Sequence, residues 1–81
     1  MHVTIRLFAR LRELTGASEL SRAVTDGSTA GDVWQGLVRE FPALAEYTHN
    51  ISVAVNEEYA KASSAVREGD EVAFLPPVSG G

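Results

Sequence analysis

The final residues of the chain carry the group that stands out as a reactive centre. They read Pro76-Pro77-Val78-Ser79-Gly80-Gly81. The α-carboxylate is on Gly81, and neither Gly81 nor the preceding Gly80 has a side chain. Because Gly lacks a Cβ, a Gly-Gly arm fits a narrow channel that a larger residue would block. A carboxylate resists nucleophiles until it is activated, for example as an acyl-adenylate made with ATP. It then acylates a sulfur donor, a cysteine or an amine.

Pro76 and Pro77 separate this arm from the folded part of the chain. Each proline restricts φ and lacks an N–H, so neither continues a strand inside a sheet, and extended backbone is favoured. We therefore expect a folded domain over residues 1–75 and a flexible tail over residues 76–81. A simpler interpretation is a frayed terminus without a role, because chain ends are often disordered.

The composition excludes several other kinds of chemistry. The chain has 81 residues, a net charge of −4 and no cysteine, which excludes a disulfide framework, a cysteine-based zinc site and a cysteine nucleophile. His2 and His49 lack ligand-like spacing, so we expect no bound metal. Phosphate backbones attract clustered Lys and Arg, which are missing here, so we expect no nucleic-acid partner. The length corresponds to one domain with a small core.

The chain also lacks the pattern of a membrane or secreted protein. Its apolar runs are far shorter than the roughly 20 residues of a membrane-spanning helix. A strand pattern begins at His2 without the basic and apolar regions of a signal peptide. We therefore expect a cytoplasmic protein that does not bind a membrane.

Alternation of apolar and polar residues predicts strands over residues 2–8, 19–24, 51–55 and 71–75. Residues 59–60 suggest a brief additional strand at the edge of the sheet. Between these segments, residues 9–14 suggest a short helical turn that ends at Thr15-Gly16. Residues 43–50 read as a connection, and residues 61–67 show no clear pattern.

Residues 29–41 contain the strongest helix signal. Thr29 followed by Asp32 resembles a capping box, and Pro42 limits continuation of the helix. The apolar positions form one continuous stripe that needs a sheet to cover it: Ala30, Val33, Trp34, Leu37 and Phe41. Trp34 on this stripe is interpreted as a core residue rather than a ligand platform.

The order of these elements predicts a β-grasp, an α+β fold. Its mixed sheet would have four to five strands, with one main helix packed on one face. A right-handed crossover makes the first and last strands parallel neighbours. Phe8 and Leu75 would then emerge side by side on the face away from the helix, where Tyr59 could join them. Such an exposed apolar patch beside a tail suits docking, although Phe8 could instead simply close the end of the core.

The sequence resembles the MoaD/ThiS family of ubiquitin-like sulfur carriers, and within it the small subunits of molybdopterin synthase. The resemblance covers nearly the whole chain and rests on Leu7-Phe8-Ala9, Leu11-Arg12-Glu13-Leu14, Val55-Asn56 and above all residues 68–81. Leu75 stands where many relatives have an aromatic residue, and Tyr59 where an aliphatic one is common. Both changes keep the surface apolar.

The resemblance implies a reaction cycle centred on Gly81. An adenylating enzyme related to ubiquitin-activating enzymes would use ATP to make the Gly81 acyl-adenylate, and a sulfurtransferase or cysteine desulfurase would supply sulfur for a thiocarboxylate. The tail would deliver this sulfur to cyclic pyranopterin monophosphate in the large synthase subunit. The chain would bind no cofactor itself and would act as a co-substrate, with proton transfers left to the partner.

The resemblance further implies a heterotetramer with that large subunit. Besides Gly81, the residues expected to bind partners are Gly80, Ser79, Val78, Pro77, Pro76, Leu75, Phe8 and Tyr59. Three alternatives remain open on the sequence. The chain could be the sulfur carrier of the thiamin pathway, a modifier that joins Gly81 to lysines of target proteins, or a plain β-grasp interaction domain with an inert tail.

Overall fold

The computed structural model describes residues 1–77. In these residues the chain forms five strands, two α-helices and one 3₁₀ helix. In chain order they are β1 (His2–Leu7), α1 (Ala9–Thr15), β2 (Glu19–Ala23), α2 (Ala30–Glu40), the 3₁₀ helix (Pro42–Tyr47), β3 (Ser52–Val55), β4 (Glu58–Ala60) and β5 (Glu71–Leu75). Every strand predicted from the alternation is present, including the brief edge strand.

The strands form one mixed sheet in the order β2-β1-β5-β3-β4. β1 pairs in parallel with β5, with Thr4 opposite Glu71 and Leu7 opposite Phe74. The other neighbouring pairs are antiparallel. The predicted ubiquitin-like β-grasp, with first and last strands as parallel neighbours, is therefore confirmed.

Helix α2 begins with the capping box that the sequence predicts. The Asp32 N–H donates to Thr29 Oγ1 at 3.2 Å, and the Thr29 N–H donates to Asp32 Oδ2 at 2.9 Å. Both bonds satisfy N–H groups that have no partner inside the helix. The helix ends at Glu40, with Phe41 as its C-cap.

The core lies between the sheet and the helices. Trp34 of α2 packs on Phe74 of β5 with ring centroids 5.1 Å apart, and its Nε1–H donates to Thr48 Oγ1 at 3.0 Å. Trp34 is therefore a core residue, as predicted. Leu11 of α1 and Leu44 of the 3₁₀ helix are fully buried in the same cluster. No helix formed by residues 1–77 is long and apolar enough to cross a membrane.

The 3₁₀ helix is the element that the sequence did not predict. Residues 43–50 read as a connection, yet Pro42–Tyr47 form a 3₁₀ helix with Pro42 in its first turn. So short an element has no room for a repeated apolar stripe, and a single buried residue, Leu44, fixes it to the core. The sequence therefore carried no periodic signal for it.

The segment between β4 and β5 closes over the start of α2. The Gly31 N–H donates to the Ala62 carbonyl at 2.8 Å, and the Ala30 N–H donates to the Ser64 carbonyl at 2.9 Å. A Cβ on Gly31 would lie 3.1 Å from that Ala62 oxygen, whereas a Cβ on Gly36 would meet only the flexible end of Arg39, at 3.9 Å. Gly31 is thus required by a close backbone approach, and Gly36 is not.

This contrast predicts opposite effects for two Gly→Ala substitutions in α2. Gly36→Ala should raise the free energy of unfolding by about 0.5–1 kcal/mol, because Ala favours the helix and nothing obstructs its methyl group. Gly31→Ala should lower it, because the Ala62 oxygen is held in place by its hydrogen bond and cannot retreat from the methyl. Urea unfolding of both variants checks this. Equal stabilisation by both would show that the backbone approach at Gly31 is unimportant.

Candidate functional site

The predicted reactive tail follows directly from the last strand. β5 ends at Leu75, and Pro76 and Pro77 follow it outside any helix or strand. The remaining predicted tail residues, Val78, Ser79, Gly80 and Gly81, lie outside the described residues. The described residues include the surface at the end of β5, next to Pro76 and Pro77.

That surface is a depression on the sheet face opposite α2. Along β5 the side chains alternate, so Val72 and Phe74 enter the core while Ala73 and Leu75 face the other way. The depression has a volume of about 290 Å³. We call it the open-face depression; it is lined by Arg6, Phe8, Ala54, Glu57, Tyr59, Glu71, Ala73 and Leu75.

The open-face depression collects the three apolar residues that the sequence placed on this face. Phe8 is 37% exposed and Tyr59 is 81% exposed, and these are the exposed large hydrophobic residues of the part of the chain that the structure describes. Leu75 is half-buried beside them. Phe8 does not close the core, so the patch interpretation is the correct one for its position. Whether the patch binds a partner stays a prediction.

Backbone strain is concentrated around the same depression. Within residues 1–77, the non-glycine residues with positive φ are Ala9 at 50°, Asn56 at 50° and Glu57 at 70°. Ala9 follows Phe8 and turns the chain from β1 into α1. Asn56 and Glu57 form the two-residue turn between β3 and β4, and Tyr59 lies in β4 directly after this turn. Strain of this kind persists where the surroundings enforce it, and it is frequent at functional sites.

Two charged residues of this site, Arg6 and Glu57, were not predicted from the sequence. Arg6 lies between two carboxylates, with Nη1 at 3.7 Å from Glu71 Oε2 and Nε at 3.9 Å from Glu19 Oε1. Its guanidinium carbon also lies 5.6 Å from the centre of the Phe8 ring. The alternation of β1 put Arg6 on the same face as Phe8, which was the available signal. The sequence also contained a signal for Glu57, because this Glu occupies a turn position at which Gly is usual.

A hydrogen-bond network fixes the β3–β4 turn to the start of β5. The Asn56 amide donates to Asp70 Oδ1 at 3.0 Å, and the Glu71 N–H donates to Asn56 Oδ1 at 2.9 Å. Asp70 Oδ2 also accepts from the Arg67 N–H at 2.8 Å. The bond from Asn56, and then the bond from Arg67, lower the pKa of Asp70 below its ordinary value. The network thus joins Asn56 to Asp70 and Glu71, which lie in two of the segments that carry the resemblance.

Two larger grooves lie on either side of α2, and neither contains a reactive cluster. The one of about 600 Å³ lies between β2 and α2, and its Arg22 is already paired with Glu40, with Nε at 3.0 Å from Oε2. The one of about 500 Å³ lies between α2 and β4. Nowhere in residues 1–77 do three or more His, Asp or Glu residues form a group that could hold a metal ion.

Fold and surface together define a class: a ubiquitin-like β-grasp domain whose last strand leads from an exposed apolar depression into a Gly-Gly tail. The family can be stated more narrowly. The model of the ThiS family matches residues 5–81, and the chain belongs to this family.

The chain is also similar to individual proteins over its full length. It is 42% identical to the molybdopterin synthase sulfur carrier subunit of Arabidopsis thaliana, in a match that covers 100% of this chain and 84% of the relative. It is 38% identical to small archaeal modifier protein 1 of Haloferax volcanii, covering 94% of this chain and 97% of that one. The crystal structure of SAMP1 from Haloferax volcanii superposes with a TM-score of 0.88 at 35% identity, covering 100% of both chains.

The Asp70 network predicts a specific dependence of stability on pH. A pKa that is lowered by folding adds stability above the unfolded-state value, and this stability is lost as the pH falls below about 4. Asp70→Asn should cost about 1 kcal/mol of unfolding free energy at pH 7, because an amide has one acceptor oxygen and can replace only one of the two carboxylate oxygens that accept hydrogen bonds. The destabilisation caused by Asp70→Asn should become smaller towards about pH 2.5, because the Asp70 carboxylate of the wild type is then increasingly protonated. This pH is at about the lower end of the range of Asp pKa values in folded proteins.

Urea unfolding at several pH values measures this convergence. Glu46→Gln serves as the control, because Glu46 is exposed and its side chain makes no hydrogen bond within residues 1–77. A pH profile of Asp70→Asn that runs parallel to that of the wild type would contradict the assigned role of Asp70.

Proposed function

We propose that this chain is a sulfur carrier of molybdenum cofactor biosynthesis. In this proposal the Gly81 carboxylate is adenylated with ATP by a partner enzyme and converted to a thiocarboxylate. The thiocarboxylate then donates sulfur to cyclic pyranopterin monophosphate in the large subunit of molybdopterin synthase, with which the chain assembles. The chain binds no cofactor of its own, since ATP is used by the activating enzyme.

The observation that supports this proposal most strongly is the full-length similarity to a protein named for the same role. The identity of 42% spans all 81 residues, and the family match continues to residue 81 at the Gly-Gly end. The open-face depression adds a physical argument. It lies at the end of β5 from which Pro76 and Pro77 continue, so a protein that docks there also receives the tail.

The chemistry needs little from the chain beyond the carboxylate. A Gly81 oxygen attacks the α-phosphorus of ATP, and pyrophosphate leaves. Hydrosulfide then adds to the activated carbonyl, and AMP leaves together with the oxygen that joined it to that carbonyl, which gives the thiocarboxylate. In the synthase the thiocarboxylate sulfur bonds to a carbon of the substrate and displaces an oxygen leaving group from it. Water then cleaves the acyl–sulfur bond, so the sulfur stays on the substrate and the Gly81 carboxylate is regenerated. Gly80 lets the tail enter a narrow active site.

A second candidate function is protein modification through Gly81. The similarity to small archaeal modifier protein 1, at 38% identity and with a TM-score of 0.88 for the SAMP1 structure, favours it specifically. Activation to the adenylate is the same in both functions. The products differ, because a sulfur carrier returns to its carboxylate form whereas a modifier remains joined to a lysine by an amide bond. A third candidate function is sulfur donation in the thiamin pathway, which uses the same thiocarboxylate.

Intact-mass measurement tests the carrier chemistry. After incubation with the adenylating enzyme, ATP and sodium sulfide, the mass of the chain should rise by about 16 Da, the exchange of one carboxylate oxygen for sulfur. Addition of the large subunit and cyclic pyranopterin monophosphate should return it to the starting mass. Formation of a stable adduct with a second protein instead would favour the modifier function.

The control for this measurement is a chain with one Ala appended after Gly81. Its fold should be unchanged, because the addition lies beyond the packed strands, whereas the thin end that must enter the activating enzyme is blocked. A mass increase in the extended chain equal to that of the wild type would contradict the proposed use of the Gly-Gly end.

The open-face depression predicts which substitutions weaken docking. Phe8→Ala and Tyr59→Ala should each raise the Kd for the large subunit at least about fivefold, which corresponds to about 1 kcal/mol for an apolar anchor at an interface. Tyr59 is 81% exposed, so Tyr59→Ala should change the free energy of unfolding little, whereas Phe8→Ala should also lower it because most of the Phe8 ring is covered. Titration calorimetry and urea unfolding of the same variants measure the two effects separately.

His49→Ala is a suitable control, because it removes an exposed ring outside the depression. It should bind like the wild type. If Phe8→Ala loses stability but keeps its affinity, Phe8 is a structural residue and the depression is not the docking surface.

A further inference from the structure

We propose that the open-face depression recognises an apolar side chain of the partner flanked by a lysine or arginine, and that Glu57 pairs with that cation. The inference rests on the proposed function, in which a partner docks on this face. It adds the chemical identity of the partner's contact and a specificity-determining residue. Charge, backbone strain and the shape of the depression support it independently.

The charges of the depression leave Glu57 without a partner of its own. Arg6 is the cation of this surface, and it already lies within 4.0 Å of Glu19 and Glu71. None of the ion pairs formed within residues 1–77 includes Glu57, although its side chain is exposed and lines the depression. A protein that covers this surface would shield Glu57 from water. Shielding a carboxylate is unfavourable unless the partner supplies a positive charge.

The backbone of Glu57 gives a second reason to assign it a role. Its φ of 70° is a conformation that Gly adopts freely and Glu does not. Asn56 at φ 50° and Glu57 together form the two-residue hairpin turn for which Asn-Gly is the usual sequence. The fold would therefore be served better by Gly at position 57. We attribute the presence of Glu to its carboxylate at the rim of the depression.

The shape of the depression specifies the apolar part of the partner. Phe8, Tyr59 and Leu75 surround it, and the paired residues Ala54 and Ala73 leave space between them because their side chains are small. Its volume of about 290 Å³ corresponds to roughly ten water molecules at 30 Å³ each. This accommodates one large aliphatic or aromatic side chain. With Glu57 at the rim, the cation must be close to that side chain.

A pair of neighbouring substitutions tests the role of Glu57. Glu57→Gln and Glu58→Gln change the net charge equally, and both residues are exposed. Glu58 lies opposite Val55 in the hairpin, so its side chain is on the other face of β4 from Tyr59 and does not line the depression. General electrostatic attraction is thus altered equally in both variants, and only Glu57→Gln removes the proposed ion pair.

The measurement is the Kd for the purified large subunit of molybdopterin synthase as a function of NaCl concentration. Glu57→Gln should raise the Kd about fivefold at low salt, and the difference should shrink to less than about twofold near 0.5 M NaCl, where surface charges are screened. Glu58→Gln should stay within about twofold of the wild type throughout. Equal effects of the two substitutions would overturn the proposal.

Glu57→Gly tests whether the positive φ at position 57 is strained. This variant should remain folded, because Gly adopts a positive φ readily. It should raise the Tm by about 4 °C or more, because the positive φ no longer carries a penalty. It should weaken binding to the same degree as Glu57→Gln. A lower Tm would show that Glu57 is present for the fold, and unchanged binding would show that the carboxylate is not used; either result overturns the inference.

Failure of this inference can be distinguished from failure of the proposed function. If Phe8→Ala weakens binding and the mass increase of about 16 Da occurs, while Glu57→Gln behaves like Glu58→Gln, only the assignment of Glu57 is wrong. If Phe8→Ala and Tyr59→Ala bind like the wild type and no mass increase is seen, the carrier function and its docking surface fail together with the inference.

Discussion

The parallel pairing of β1 with β5 is the constraint on which the rest of this structure depends. It joins segments from opposite ends of the chain, so its formation has to offset the entropy of closing a long loop. With Leu7 opposite Phe74, the residues that follow them, Phe8 and Leu75, emerge at the same end of the sheet. The register of this one pair therefore sets both the position of the open-face depression and the end of the sheet at which Pro76 and Pro77 follow β5.

The small size of the domain explains why one sheet face is left uncovered within residues 1–77. Two helices and the 3₁₀ helix cover a single face, and residues such as Trp34, Leu44 and Phe74 form the core there. A chain of this length buries only about 60% of its unfolded surface and cannot cover the second face as well. On that face Arg6 lies within 4.0 Å of carboxylate oxygens of Glu19 and Glu71, and its guanidinium carbon lies 5.6 Å from the centre of the Phe8 ring.

Periodic features of the sequence predicted this fold well, and non-periodic ones did not. Alternation identified the strands, the Thr29–Asp32 pair identified the start of α2, and the face assignment of Phe8, Tyr59 and Leu75 followed from the topology. The 3₁₀ helix and the approach of Ala62 to Gly31 depend on contacts between segments that have no repeating pattern, so they are visible only in three dimensions. The pairing of Arg6 with carboxylates on two other strands belongs to the same group.

The β3–β4 turn shows how a small domain maintains a strained residue at its surface. Asn56 is fixed to the start of β5 by its side-chain bonds to Asp70 and Glu71 and by its own N–H, which donates to the Glu71 carbonyl at 2.8 Å. These bonds leave the turn little freedom, so Glu57 is held at positive φ although its own preference is different. The rim of the depression is consequently ordered before any partner arrives. A contact made at such an ordered turn loses less conformational entropy than one made at a mobile turn, where fixing each residue would cost about 1–2 kcal/mol.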